Sequence, residues 1–423
     1  MFQLDAPDAT QPLAAPPPSA LPHAIARTAA SLGGPAADAA FLYAPSIAAN
    51  RAARLRAVLP GWVEIAYAVK ANAFEPVVAA LAAEVDGFDV SSAGELQVVR
   101  AVPPCDRQLR LVAAGPGKTP ALLEALIDAG ADPINVESAL EVERVAAAAR
   151  RSNRRVTIAL RVNPAHVALD GALRMGGGAA QFGIPEEDLG EVVALTRRHP
   201  ELDVLGFHVH AVCGNLDAAT HVAYVRWCLD FSRATAAVHG IDLRIVNAGG
   251  GLGVAFDGGP EFDVAAFGRG LHALDPPAGT RLIVEPGRWL AAPCGWYAAP
   301  VTDLKHSRGT WFAVLRGGIH HFALPASWDL VHRVCVVPVE RWDATIARPE
   351  LRRAAVTVVG ELCTPEDTLA RDVAVERLRA GDVVVFPDAG SYGWEFALQR
   401  FLGHPPARRI VVGAASTPWK EPR

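Results

Sequence analysis

One lysine closes an apolar, β-favouring run: Val63 to Val69 leads into Lys70, followed by Ala71-Asn72 and then Phe74-Glu75-Pro76. A lysine at the C-terminal end of a strand, with Ala68 and Ala71 beside it, has room for a bulky group against its amine. Burial there would favour the neutral, nucleophilic form, the form a Schiff-base lysine needs. Taken alone, the heptapeptide fits a snorkelling surface lysine better. The company Lys70 keeps along the chain reverses that reading.

Asn247-Ala248-Gly249-Gly250-Gly251-Leu252-Gly253 follows an apolar run, and three successive glycines let backbone N–H groups close around an anion. At the end of the next run, Glu285-Pro286-Gly287-Arg288 offers a carboxylate and an arginine suited to phosphate. His208 and His210 alternate on one strand and share a face. A metal pair completed by His320 and His321 is one reading, but no acidic residue stands at the neighbouring strand positions and no HExxH spacing occurs. Packing of His208 on an aromatic cofactor ring fits better, with His210 a neighbour or a structural histidine. Gly115-Pro116-Gly117-Lys118-Thr119 ends like a nucleotide-binding loop, yet position 112 is Val112 and Pro120 follows at once, so it reads as a turn before a helix. Gly360 to Asp367 places Cys363 beside carboxylates, where inert packing is the bland alternative. Asp388 to Gly393 puts Tyr392 on a tight turn.

The elements that must carry these residues have a regular rhythm. Strands are expected at 63–70, 87–92, 109–115, 133–138, 156–163, 203–210, 243–248 and 281–286. Helical patterns lie between them at 75–85, 119–129, 138–150, 185–198, 216–239 and 260–274. Eight strands alternating with helices point to an α/β fold, a (β/α)8 TIM barrel. Lys70, Gly115, Glu137, Arg161, His208, the glycine run and Glu285 to Arg288 all fall at strand C-termini, the face that holds the active site in this fold. After Arg288 the pattern becomes mainly β, with strands at 310–315, 333–339, 355–359, 382–386 and 409–412 and one helix near 394–401. The expected division is an N-terminal arm, 1–40, rich in Ala and Pro up to about residue 22; a barrel, 41–290; and a β domain, 291–423, joined by a short strand at 41–43.

A chain of 423 residues, 51% hydrophobic and 20% charged, has ample core for two domains. A net charge of -5 argues against nucleic acid as a partner. No apolar span is long enough for a bilayer and no signal peptide is visible, so a cytoplasmic protein is expected. Six scattered cysteines fit neither a disulfide framework nor a zinc finger.

YAVKAN, FDVSSAGEL, FHVH, NAGGGLG, EPGR, GELCTPED and DAGSYG, in that order from about Phe41 to Ala407, resemble the barrel-type pyridoxal-phosphate decarboxylases acting on diaminopimelate, ornithine and arginine. The resemblance implies pyridoxal phosphate as cofactor, anchored on Lys70. His208 would stack on its ring and Glu285 would bond the ring nitrogen. Arg161, Gly249, Gly250, Gly251, Arg288 and Tyr392 would complete the cofactor site, and Cys363 would return a proton after carbon dioxide leaves. It also implies a head-to-tail homodimer with active sites at the interface, where Cys363 and Asp367 would serve the partner's Lys70. A carboxylate at the ring nitrogen favours decarboxylation, because a protonated ring is the stronger electron sink.

The departures bear on substrate. Arg316 replaces an aspartate that reads a distal amine, Thr364 replaces another, and Ala211 stands where a phosphate-binding serine is usual. With Arg316, His320, His321 and Asp367 as substrate residues, the far end of the substrate is expected to be anionic. FHVHAVCGNLD and GGIHHFALP look most like the siderophore-pathway branch, which decarboxylates 2,3-diaminopropionate already joined to citrate. The alternative is diaminopimelate decarboxylase of lysine biosynthesis.

Overall fold

The computed structural model describes residues 20–34, 38–103, 107–165, 173–174, 178–343 and 345–413; residues 1–19 and 35–37 of the expected arm lie outside them. The chain forms two compact units. One comprises 45–255 and 260–292, the other the described residues of 1–44, 256–259 and 293–423.

The first unit is a closed eight-stranded parallel barrel with helices between the strands. Its strands are β1 (Val63–Ala68), β2 (Gly87–Val90), β3 (Arg110–Ala113), β4 (Ile134–Val136), β5 (Val156–Asn163), β6 (Leu202–His208), β7 (Ile245–Asn247) and β8 (Arg281–Val284). Each pairs with the next, and β8 pairs with β1 through Leu282 opposite Val63. Near-continuous apolar sequence is what a strand buried on both faces requires. Ala66, Val112, Leu205, Ile245 and Ile283 form a buried cluster contributed by five of the strands. Arg161, His208 and Asn247 lie in register on β5, β6 and β7. The barrel's own pairing therefore fixes them as one row at the strand ends.

Two helices of this unit start on the same Ser-x-x-Glu device. The Ser92 hydroxyl accepts from the Glu95 amide, and the Glu95 carboxylate takes the Ser91 amide at 2.6 Å. Ser138 and Glu141 repeat it, with Glu141 accepting from the Glu137 amide at 2.7 Å. The Gly115–Lys118 segment is the turn its sequence implies. Lys118 is buried, donating to the Gly115 carbonyl at 2.6 Å and to Glu141 at 2.8 Å.

In the second unit, Ala40–Tyr43 pairs antiparallel with Gly295–Ser307 and parallel with Arg408–Val411. Gly295–Ser307 also pairs with Thr310–Leu315 and Val383–Phe386. Glu350–Val359 and Thr368–Arg379 form a long hairpin, and a helix spans His23–Ser31. The helix expected near 394–401 is absent. That stretch forms turns ending in a short 3-10 segment, Phe401–Gly403, with Arg400 at φ 67° and Leu402 at φ 53°. Two non-glycine residues in the left-handed region cannot continue a right-handed helix. Among the described residues, no helix is long and apolar enough to cross a membrane.

Candidate active site

Lys70 stands just past β1 in a 3-10 turn, Val69–Ala71. Its Nζ donates to Asp89 Oδ2 at 2.9 Å, and its side chain is 39% exposed. The desolvated setting expected from Ala68 and Ala71 is thus replaced by a carboxylate partner. Those alanines serve another purpose: a Cβ on Gly287 would lie 2.8 Å from that of Ala71 and 3.2 Å from that of Ala68. The small residues around Lys70 let the Glu285–Arg288 loop pack directly on the lysine turn.

Asp89 was not singled out in the sequence, although a charged residue inside the fully buried strand Gly87–Val90 is itself a signal. Its Oδ1 has no hydrogen-bond partner among the described residues. Glu285, after β8, is also buried, and Asn247 Nδ2 holds its Oε1 at 2.6 Å. Burial, together with the nearby Asp89 charge, pushes the Glu285 carboxyl up to about 7. His208 lies 3.8 Å from Glu285 Oε2 through Nε2, and neither ring nitrogen has a hydrogen-bond partner among the described residues. Burial keeps this imidazole neutral, well below the usual histidine range. An unbonded, neutral, buried ring is a stacking surface rather than a proton carrier.

Arg161 is committed to Glu137 at 2.8 Å, and Glu137 also accepts from the amides of Gly115 and Gly183. This ties three loops at the mouth of the barrel together. The glycine run is tighter than its sequence implies. The Gly249 amide donates to Asn247 Oδ1 at 2.8 Å and the Gly250 amide to His210 Nδ1 at 3.1 Å. A Cβ on Gly249 would fall 2.3 Å from His210, and one on Gly250 would fall 2.4 Å from the Glu285 carbonyl. Expected as phosphate donors, these two amides instead fasten the loop to β6 and β7. The Gly251 amide remains uncommitted among the described residues. His210, left open between neighbour and structural histidine, is the loop's support. Arg288 opens the short helix Arg288–Ala291, with its Nη1 near Gly214.

The remaining expected residues lie in the second unit. Cys363 is exposed. Tyr392 is half-buried at φ 53°, its ring 5.5 Å from that of Trp328. Asp367 accepts from the Ile319 amide through Oδ1 at 2.7 Å and from the Leu362 amide through Oδ2 at 2.8 Å, and so clamps two loops. His321 is engaged through Nε2 with the Pro405 carbonyl at 2.9 Å and through Nδ1 with the Tyr297 hydroxyl at 3.3 Å. Arg316 donates from Nη1 to Glu361 at 2.8 Å and from Nε to Asp38 at 3.3 Å, while its side chain stays 43% exposed. It keeps donors for an anion. His320 is buried beside Glu361.

The barrel's strand ends therefore present an amine, a buried carboxylate, a neutral unbonded imidazole and a glycine loop. These fit pyridoxal phosphate, and His208 carries the test. Its ring nitrogens are left unpaired in a buried position among the described residues, the kind of orphaned polar group that calls for a bound molecule beside it.

Residues 47–292 match the family described as "Pyridoxal-dependent decarboxylase, pyridoxal binding domain". A 2-[(L-alanin-3-ylcarbamoyl)methyl]-2-hydroxybutanedioate decarboxylase of Staphylococcus aureus is 34% identical over 351 residues, covering 82% of this chain and 87% of its own. An L-glutamyl-[BtrI acyl-carrier protein] decarboxylase of Niallia circulans is 32% identical over 336 residues, 77% of each chain. In fold, the chain is similar to a crystal structure of diaminopimelate decarboxylase from Helicobacter pylori complexed with L-lysine, with a TM-score of 0.76, 23% identity, and coverage of 89% of this chain and 91% of that one. The chain belongs to the pyridoxal-dependent decarboxylases. It is a carboxy-lyase with pyridoxal phosphate as cofactor.

The buried imidazoles predict acid sensitivity. Burial pushes His210 down to about 3 and His221 and His332 down to about 4, from an ordinary value of 6.5. Below pH 6.5 the unfolded chain takes up protons at these positions while the folded chain does not, so stability falls as pH drops from 6.5 toward 4. Glu285 acts oppositely. Its carboxyl is raised from 4.5, so its contribution is fully present below pH 4.5 and is lost as pH rises through about 7. His208, His320 and His321 are lowered by burial as well, which makes six histidines against three raised carboxyls, Glu95, Glu285 and Asp367, so the urea midpoint of cofactor-free protein should decline from pH 6.5 to 4. His221→Phe should flatten that decline; an unchanged slope would remove His221 from the account.

Proposed function

We propose that this carboxy-lyase removes the α-carboxylate from a 2,3-diaminopropionate unit joined through an amide to citrate, in the cytoplasm and as a step of siderophore assembly. The Staphylococcus aureus relative is named for a substrate of that build, an L-alanin-3-yl group carried by a carbamoylmethyl arm on 2-hydroxybutanedioate. The observation that carries the reading is Arg316, a half-exposed guanidinium in the β unit with donors to spare beyond Glu361 and Asp38.

Lys70 Nζ anchors the cofactor, Glu285 holds a proton at its ring nitrogen, and His208 offers a ring face. Gly251 and Arg288 take the phosphate, and Gly249, Gly250 and Arg161 set the shape of the loops around it. Pyridoxal phosphate, when bound, supplies the sink for the electron pair left on the α-carbon as carbon dioxide departs. Cys363 Sγ returns a proton to that carbon, in a homodimer where the thiol of one chain serves the lysine of the other.

Carbon dioxide release by the reconstituted protein, compared between the citrate amide of diaminopropionate and meso-diaminopimelate, tests the substrate. Turnover of diaminopimelate alone would place the enzyme in lysine biosynthesis instead. Arg316→Ala should lower kcat/KM for the citrate conjugate by about 10–100-fold, the scale of one lost hydrogen bond to a charged group. An unchanged value would remove Arg316 as the anion reader.

A further inference from the structure

We infer that His320, Glu361 and His404 form a binding site for one divalent first-row transition-metal ion in the β unit. One ligand atom from each, all within 4.8 Å of one another, converges on a single spot. His320 Nε2 lies 3.6 Å and His404 Nδ1 3.7 Å from the same oxygen, Glu361 Oε1. Metal bonds of about 2.0–2.2 Å place neighbouring tetrahedral donors roughly 3.4 Å apart, so each histidine need close on Glu361 Oε1 by only a few tenths of an ångström, while the two histidines, within 4.8 Å of each other, close by up to about 1.4 Å through side-chain rotation.

Three further observations distinguish this cluster from a chance meeting of polar groups. The His320 side chain is 1% exposed, yet neither of its ring nitrogens has a hydrogen-bond partner among the described residues. A buried imidazole left unsatisfied in this way is costly unless something occupies the space it faces. Glu361 divides its labour: Oε2 is held by Arg316 at 2.8 Å, and Oε1 is turned to the histidines. That fixes the carboxylate as a one-oxygen ligand with an outer partner, as metal sites commonly arrange. His404 is one-quarter exposed, which leaves a side for entry and for water ligands. Two imidazoles and a carboxylate suit zinc, iron, cobalt or nickel better than calcium or magnesium, which prefer all-oxygen shells. Asp38, 3.3 Å from Arg316 Nε, offsets part of the guanidinium charge next to the site.

Nothing in this inference depends on the substrate, and the barrel residues that hold pyridoxal phosphate are not involved. Holoenzyme dialysed against a chelator and titrated with Co2+ gives the readout, because histidine and carboxylate ligation produces visible absorption bands that free Co2+ lacks at the same intensity. One equivalent per chain is expected, displaced by Zn2+. His404→Gln removes a partly exposed ligand without opening the core. It should abolish the bands and weaken Co2+ binding by more than the roughly 10–100-fold that an outer partner costs. Arg316→Met, which removes the outer partner that holds Glu361 Oε2, should weaken binding by only the roughly 10–100-fold of an outer partner and leave the bands in place. No stoichiometric Co2+ in the parent protein, or equal binding by a folded His404→Gln variant, would overturn the site.

Discussion

Lys70→Ala should lower decarboxylation by at least about 10³-fold, the scale on which enzymes lose a covalent nucleophile. Borohydride treatment of the holoenzyme should fix the cofactor's mass on the peptide containing Lys70, and no peptide of the variant should carry it. Loss of folding has to be separated from loss of chemistry, because Asp89 is fully buried and Lys70 is its partner. Removing the lysine alone leaves a carboxylate in a low-dielectric site with neither oxygen satisfied. The double variant Lys70→Ala/Asp89→Asn should therefore regain stability while remaining inactive. If it recovered turnover as well, Lys70 would be a structural ion-pair member and the anchoring amine would have to be sought elsewhere.

Glu285→Gln should lower kcat by roughly 10²–10³, the usual cost of removing one preorganised charged contact from an active site. An amide can bond a ring nitrogen but cannot keep a proton on it, so the loss should appear in kcat more than in KM. The same change should leave the cofactor-free protein as stable or more stable near neutral pH. The group removed is a buried carboxyl whose ionisation is opposed by its surroundings. Opposite signs for activity and stability are what an electrostatically strained functional group gives. A loss of both together would mean that Glu285 chiefly holds Asn247 and the glycine loop in place. Thermal melts of the variant with and without cofactor distinguish the two.

The barrel was legible because each of its strands is an apolar run followed by a chemically distinctive residue, and Lys70, His208, Glu285 and Arg288 all stand out in that way. The β unit was harder to read. Gly295–Ser307, its longest strand, contains Pro300, which lacks an amide donor and weighs against a strand in sequence. The charged hairpin strand Thr368–Arg379 has no clean alternation. The helix expected near 394–401 is not formed, and Arg400 and Leu402 in the left-handed region end the stretch in a short 3-10 segment. For the site, sequence identifies the residue types but not their partners. Asp367 looked available until the Ile319 amide, 48 positions away, claimed an oxygen. Arg316 looked unpaired until Asp38, 278 positions away, reached it. Glu361 and His404 gave no local hint, because the two are distant in sequence and meet only around His320.

The pairing of Tyr43 with both Gly295 and Val411 has a consequence on the ribosome. At 5–20 residues per second, roughly ten seconds to a minute pass between synthesis of Tyr43 and synthesis of those neighbours. In that interval almost the whole barrel has emerged and can close, while the Ala-Phe-Leu-Tyr strand waits with both edges open. Such a strand is a template for wrong partners, so this polypeptide should depend on nascent-chain chaperones more than a barrel of the same size encoded without an upstream strand.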